Sequence, residues 1–297
     1  MSPWYSVVAV ARSLSLAPLR LHAAAHRRLA PAALLAFLTG AALHAQAPLP
    51  ISTVDDLLPD LAAVPCDNGK RLDAVRALFE GAGAKPEDIR IEDYKHVRNL
   101  VVRKPGLEPG TIIIGAHYDK TRAGCGAVDN WTGQVVLTRV FRTLAAAPMR
   151  RTLVFVAFGR EEEGLIGSRA MAEAIPKEHR QDYCAMVNLD SFGRSGAQVL
   201  DNASSAPLRT LAADLAQRMN IPFSHAAVKL ADSDSTSFKL IGIPAVTLHG
   251  LSGDFGSILH SRRDEPSIVN PVSVYLGYRL ALGMVGELDR ASCDAFR

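Results

Sequence analysis

From residue 51 onward the chain alternates between apolar positions at helical spacing and short, continuous apolar runs. Over residues 70–81, Leu72, Val75, Leu78 and Phe79 fall on one helical face and Gly81 closes the run, which predicts an amphipathic helix with a C-terminal stop. Residues 89–92 and 99–103 read as short strands. Residues 111–116 are almost wholly apolar (Thr-Ile-Ile-Ile-Gly-Ala), the pattern of a strand buried on both faces. A helix over 131–144 follows, with Trp131, Val135, Val140, Phe141 and Leu144 on one side. The cycle repeats with a strand over 152–158, a helix over 166–175 and a strand over 185–189. Helices over 206–219 and 235–241, a strand over 245–249 and a last helix over 272–288 complete it. Strands alternating with crossover helices predict a mostly parallel, mixed central sheet with helices on both faces. The expected fold is therefore a single-domain, three-layer α/β sandwich. No linker, repeat or low-complexity tract interrupts the chain after residue 50, so residues 48–297 are expected to form one domain.

The first 47 residues have a different character. His26-Arg27-Arg28 precedes an apolar stretch over 29–43, and Ala45-Gln46-Ala47 follows it. A basic flank, a short hydrophobic run and a small-residue exit predict that residues 1–47 comprise a signal peptide and upstream residues, the signal needing nothing before about residue 26 and being cleaved after Ala45 or Ala47. The run is shorter than the roughly 20 residues a membrane-spanning helix needs. The expected destination is the periplasm or the exterior, with no stable membrane insertion after cleavage.

Composition narrows the class. With 48% hydrophobic and 21% charged residues in 297, the chain can build a large core, which excludes a disordered chain and a disulfide-dense mini-protein. Lys and Arg number 33 against 30 Asp and Glu, a net +3; Arg12, Arg20, Arg27 and Arg28 lie in the acid-free first 45 residues, and without them the balance is −1. Nothing in that balance suggests a nucleic-acid partner. The four cysteines, Cys66, Cys125, Cys184 and Cys293, lack CxxC spacing and so do not suggest a thiolate zinc site. In an oxidising compartment they allow two bridges in three pairings, one of which clips the two ends of the mature chain through Cys66 and Cys293.

Candidate chemistry gathers where an α/β sheet places it, at the carboxyl ends of the strands. The strand over 111–116 runs into His117-Tyr118-Asp119, and the strand over 152–158 into Gly159-Arg160-Glu161-Glu162-Glu163. The strand over 185–189 ends in Asp190, and the strand over 245–249 leads through a glycine-rich loop to His260. Imidazoles and carboxylates without thiolates suit zinc, manganese or cobalt, and mixed His and Asp/Glu sets serve two-metal hydrolases that share a bridging carboxylate. Asp129, at the loop-to-helix junction after the His117 strand, is the bridge candidate. His117 and Asp119 are two apart, so on extended backbone the carboxylate can brace the imidazole. Glu161 and Glu162 are adjacent and point apart, so one can bind metal while the other handles a proton. Each piece alone has a bland explanation: HxD as a turn, the EEE run as a solvated helix start, Asp129 as a helix cap. Their convergence at successive strand ends favours chemistry.

Together these stretches resemble the secreted di-zinc aminopeptidases related to bacterial leucyl aminopeptidase and aminopeptidase Y. The resemblance rests on Gly115-Ala116-His117-Tyr118-Asp119, Gly126-Ala127-Val128-Asp129-Asn130 with Gly133, and Glu161-Glu162-Glu163-Gly164-Leu165-Ile166-Gly167-Ser168. It extends to Val187-Asn188-Leu189-Asp190, to Ser233-Asp234 through Phe238 with Gly242-Ile243-Pro244, and to His260 with Asp264. It implies a zinc-exopeptidase fold and two zinc ions per chain. His117, Asp129 and Asp190 would bind one ion and Asp129, Glu162 and His260 the other; Glu161 would be the general base on a zinc-bridging water, and Asp119 would orient His117. The implied substrates are peptides with a free N-terminus.

Departures from that family's pattern are Trp131, expected to narrow or line the substrate entrance, Lys120 after the HxD, and Leu259 before His260; no residue presents itself as an oxyanion donor. His96, His179, His225 and His249 are read as structural. Other activities compatible with the same fold are a glutaminyl-peptide cyclotransferase, a zinc carboxypeptidase with Arg160 or Arg262 on the terminal carboxylate, and a degenerate, non-catalytic binding domain.

Overall fold

Strand β3 (Thr111–His117) shows why these residues make a central strand: every residue in it is buried. Ile112, Ile114 and Ala116 enter one apolar cluster, and Ile113 enters a second cluster on the opposite face. β4 (Thr152–Phe158) divides in the same way, with Leu153, Phe155 and Ala157 on one side and Val154, Val156 and Phe158 on the other. A period-2 strand with no polar face needs cover on both sides. The larger cluster takes in α1 (Val54–Ala62), α2 (Asn68–Gly81), α3 (Thr132–Leu144), α5 (Ala206–Arg218) and α7 (Pro271–Arg290); the smaller takes in α4 (Ile166–Glu173) and α6 (Ser235–Leu240). This computed structural model describes residues 49–228 and 231–297, which belong to one compact unit. The expected signal peptide within residues 1–47 lies outside the described residues. No helix among the described residues is long and apolar enough to cross a membrane.

The remaining strands are β1 (Ile89–Asp93), β2 (Arg98–Lys104), β5 (Tyr183–Leu189), β6 (Ala197–Leu200), β7 (Phe223–Ala226) and β8 (Ala245–His249). They form one eight-stranded mixed sheet in the order β1-β2-β4-β3-β5-β8-β6-β7. The pairs β4/β3, β3/β5, β5/β8 and β6/β7 are parallel; β1/β2, β2/β4 and β8/β6 are antiparallel. The central four strands are thus all parallel, and their carboxyl ends lie along one edge.

The α/β sandwich read from the sequence is the fold observed. Three elements escaped that reading. α1 carries Pro59 and only Leu57 is buried, so its apolar signal is thin; Thr53 starts it with a capping box to Asp56. β6 and β7 are four residues each, too short for a period to show. The cysteines pair as Cys66–Cys125 and Cys184–Cys293, which corrects the terminal clip. Cys66 precedes α2, which packs beneath the loop carrying Cys125, while α7 returns Cys293 to the start of β5.

The Cys184–Cys293 bridge closes a separation of 109 residues, and cross-links of long loops chiefly restrict the unfolded chain. Replacing both cysteines by alanine is expected to lower the free energy of unfolding by about 2–4 kcal/mol, read from denaturant melts of the oxidised proteins. A midpoint equal to that of the wild type would contradict this.

Candidate active site

His117 ends β3 with its ring 1% exposed, and both imidazole nitrogens face acceptors. Nδ1 is 3.2 Å from the Asp119 backbone carbonyl and 3.7 Å from its Oδ1. Nε2 lies 3.1 Å from Asp129 Oδ1, 3.6 Å from Asp190 Oδ1 and 3.9 Å from Glu161 Oε2. The other oxygen of Asp129, Oδ2, is 3.2 Å from His260 Nε2, which also meets Glu162 Oε2 at 2.9 Å. Asp129 therefore stands between two imidazoles, one on each oxygen. Two groups of metal-ligating atoms result, His117–Asp129–Asp190 and Asp129–Glu162–His260, and within each group the atoms lie within 4.8 Å of one another. All seven residues singled out from the sequence come to this one place, from the ends of β3, β4 and β5, the loop before α3 and the loop after β8.

Backbone tethers hold the loops that carry these groups. The Asp119 carboxylate accepts the amides of Glu161 at 3.0 Å and Glu162 at 3.2 Å, so it fixes the turn that sends the two glutamates apart. Asp264 does the same for the bridging residue, accepting from Val128 N at 2.6 Å and Asp129 N at 3.1 Å. Asn130 ties that loop to β5: its Nδ2 donates to Leu189 O at 2.9 Å and its Oδ1 accepts from Ser191 N at 3.0 Å. The Asp129–Asn130 peptide bond is cis. Gly126 enters this segment at φ 60°, where an added Cβ would lie 2.6 Å from the Lys120 side chain, so glycine is required. Asp190 accepts from Ser191 Oγ at 3.0 Å and Ser233 Oγ at 2.5 Å.

Arg71, from the first turn of α2, is fully buried and gave no signal in the sequence. Its guanidinium donates to the carbonyls of Pro65, Tyr118, Cys125 and Gly126 and stacks 5.5 Å from the Trp131 ring. Burial lowers it only to about 10, so it remains a cation behind the carboxylates. Trp131 itself is 1% exposed and donates to Asp60 O at 2.7 Å; it is a core residue and does not line the entrance. Lys120 is turned into a backbone contact, Nζ donating to Thr121 O at 2.8 Å.

A cleft of about 610 Å³ opens over this cluster, with His117, Asp129, Glu161, Asp190 and His260 in its wall along with Leu259 and His249. No tyrosine lines it among the described residues. His96, His179 and His225 lie outside it, the last two paired with Asp182 and Asp201. Arg160 is paired with Glu163 at 2.7 Å.

Charge in this cluster is strongly perturbed. Burial pushes Glu161 well above the usual carboxylate range, against the pull of His117 and with help from Asp234, Asp190 and Asp129. Burial likewise lifts Asp234 to about 7 and Asp264 to about 6. Asp129 behaves oppositely: burial would raise it, but His117 and His260 hold it well below its ordinary value. His117 is lowered by burial yet ends well above 6.5 because Glu161, Asp119, Asp129 and Asp190 surround it. His260 rises to about 10 through its bonds to Asp129 and Glu162. His249 moves the other way, pushed by burial to about 4, and is a neutral ring at neutral pH.

The sequence pattern of peptidase family M28 matches residues 99–280. The chain belongs to peptidase family M28. Among M28-like relatives, a Trichophyton verrucosum protein named "Probable leucine aminopeptidase" is 26% identical over 242 residues, covering 74% of this chain and 66% of the relative, just under two thirds of its length. The LapA aminopeptidase of Legionella pneumophila superposes with a TM-score of 0.72 at 19% identity, covering 81% of this chain and 72% of that one. For BSAP, a zinc aminopeptidase from Bacillus subtilis, the score is 0.58 at 21% identity, with 67% and 54% covered. A glutaminyl cyclase from an Acidobacteriales bacterium reaches 0.70 at 17% identity, with 89% and 99% covered. At these identities the structural likenesses establish the fold.

Both imidazoles of the metal-free cluster are protonated at neutral pH, and a metal ligand must be a neutral imidazole. Adding zinc to metal-free protein at pH 7 is therefore expected to release protons, seen as a binding heat that changes with the ionisation enthalpy of the buffer. Equal heats in all buffers would refute it. The stability effect has a fixed sign. The folded value of His260, about 10, exceeds its ordinary 6.5, so its contribution in the metal-free protein is complete below about 6.5 and is lost as pH rises through 10.

Proposed function

We propose that this M28 protein is a secreted or periplasmic di-zinc aminopeptidase, exported by a signal peptide within residues 1–47 and acting through the domain over 48–297. The observation that carries the reading is Asp129, whose two oxygens face His117 and His260 at 3.1 and 3.2 Å, with Glu161 close by and outside both ligand groups.

The residues fit two divalent cations. Asp129, Glu162, Asp190 and Glu161 bring four carboxyl groups into one poorly solvated place, where unpaired anions are costly, and Glu162 Oε1 is buried without a hydrogen-bond partner. Oxygen and nitrogen donors without sulfur suit zinc. His117, Asp129 and Asp190 would hold one ion and Asp129, Glu162 and His260 the other; bound there, zinc polarises a carbonyl and makes a bound water acidic.

The chain's own groups supply the rest. Glu161, its affinity for a proton raised by burial, accepts the proton of the attacking water and delivers it to the departing amine. Asp119 keeps Glu161 and Glu162 apart by holding their amides. The Asp119 carbonyl faces His117 Nδ1, which orients the ring. A free α-amino group on the substrate would sit against one of the two ions so held, and this favours removal of N-terminal residues.

A glutaminyl-peptide cyclotransferase is the second reading, favoured by the coverage of the Acidobacteriales cyclase. Two complete ligand groups and the Glu161-Glu162-Glu163-Gly164-Leu165 stretch speak for the peptidase. A carboxypeptidase would need a cation for the terminal carboxylate in the cleft, and neither Arg160, which is paired with Glu163, nor Arg262 lines it.

Glu161→Gln is expected to lower hydrolysis of aminoacyl-nitroanilides by roughly 10²–10⁴-fold while zinc content stays at two per chain. Undiminished hydrolysis, or pyroglutamate formation from an N-terminal glutamine peptide without peptide-bond cleavage, would sink the reading.

A further inference from the structure

Lys120 follows directly on His117-Tyr118-Asp119 and takes no part in either ligand group, yet it is held in a defined place. Asn68, at the first position of α2, clamps its backbone on both sides: Lys120 N donates to Asn68 Oδ1 at 3.0 Å, and Asn68 Nδ2 donates to Lys120 O at 2.7 Å. The stem runs against Gly126, where an added Cβ would lie 2.6 Å from Lys120 Cβ and 3.0 Å from its Cδ. The residue is 7% exposed, and its ammonium group donates to the neighbouring Thr121 carbonyl. An ammonium has three donors, and a lysine buried to this degree is rarely left without an anion. Lys120 nevertheless has no carboxylate partner among the described residues, and neither has the exposed Arg122.

These two cations line a second cavity, of about 600 Å³, together with Asn68 and Tyr118. The acidic groups in its wall, Asp119, Glu162 and Glu163, are already engaged. The Asp119 carboxylate accepts two backbone amides, Glu162 belongs to a ligand group, and Glu163 is paired with Arg160. What remains unpaired is positive. Strand order shows where this cavity stands. Passing across the sheet from β6 to β4, one meets Leu200 of β6 and Leu251 after β8, then Asp190 after β5, His117 of β3, and Glu161 and Glu162 after β4. The apolar wall of the cleft is therefore at the β6–β8 end. The second cavity is at the other end, since Arg160 and Tyr118 in its wall donate to His96 O at 2.8 Å and Arg98 O at 2.9 Å, where β2 begins.

We infer that the cavity beyond Glu162 is a subsite for a carboxylate in the departing part of the peptide, to which Lys120 Nζ and the Arg122 guanidinium donate. A peptide laid across the cluster with its N-terminal side chain against the apolar wall sends its remaining residues over Glu162 toward these two cations. The C-terminal carboxylate of a short peptide and an acidic side chain after the scissile bond offer the same group, and the experiment separates them. The bond cut remains the first one, and the inference rests on the aminopeptidase reading.

Peptides beginning with leucine, which suits the apolar wall, are bound to zinc-loaded Glu161→Gln protein and followed by calorimetry. Leucylglycine and leucylglycylglycine are each compared with their C-terminal amides, and leucyl-aspartyl amide with leucyl-asparaginyl amide. The carboxylate member of at least one pair is expected to bind about tenfold more tightly; the first two pairs report a C-terminal group and the third a side chain. Adding Lys120→Met or Arg122→Gln to the same protein is expected to bring that ratio close to one. Equal or weaker binding of the carboxylate member in all three pairs, or a ratio retained in both variants, overturns the inference. Arg122 is exposed, so Arg122→Gln decides if Lys120→Met does not fold. Turnover by protein that keeps Glu161 tests the underlying reading, with release of leucine expected. If none of these peptides is cleaved, that counts against the aminopeptidase reading alone, and the binding ratios still decide the subsite.

Discussion

Negative charge packed into a space with little water is the constraint around which this molecule is built. Asp129, Glu162, Asp190 and Glu161 converge on two imidazoles at the edge of the sheet, and Asp129 is shared between His117 and His260. Such a cluster is unfavourable unless cations or aligned dipoles compensate it. Here the compensation is layered: protonated imidazoles in the metal-free state, the buried Arg71 guanidinium behind the loops, and the metal ions that the donor set fits. The perturbed carboxyl groups follow from the same crowding, Glu161 and Asp234 rising while Asp129 falls.

Holding such groups together requires a scaffold that does not yield to their repulsion. Two carboxylates outside the ligand groups meet that need by accepting backbone amides: Asp119 for Glu161 and Glu162, Asp264 for Val128 and Asp129. Arg71 gathers four carbonyls from three stretches of chain, and the Cys66–Cys125 bridge joins the same region. The parallel strands contribute direction. Since β3, β4, β5 and β8 all end on one edge, residues far apart in sequence arrive together without any strand having to bend toward the site.

The central strands and the main helices were legible because their patterns are strong. Strands buried on both faces read as apolar runs, and α2, α3, α5 and α7 carry long helical stripes. Where burial is one-sided or the element is short, as in α1, β6 and β7, the pattern fades. Trp131 shows a different limit. Its bulk near Asp129 suggested a place in the entrance, yet the indole packs on Arg71 and bonds to Asp60 from the opposite side, and only the packing of α1 and α2 over α3 decides this. Cysteine pairing has the same character, since spacing along the chain carries no information on which loops meet.

What the amino-acid sequence determined by itself was the alternation of elements and which ligand-type side chains stand at the strand ends, because strand ends and ligand types are local properties. Seven residues could be named before any distance was known. Tertiary structure alone decided that Asp129 offers one oxygen to each imidazole and that Arg71 stands behind the loops. Those facts depend on helices packing across a sheet, a relation between distant segments that a one-dimensional pattern does not encode.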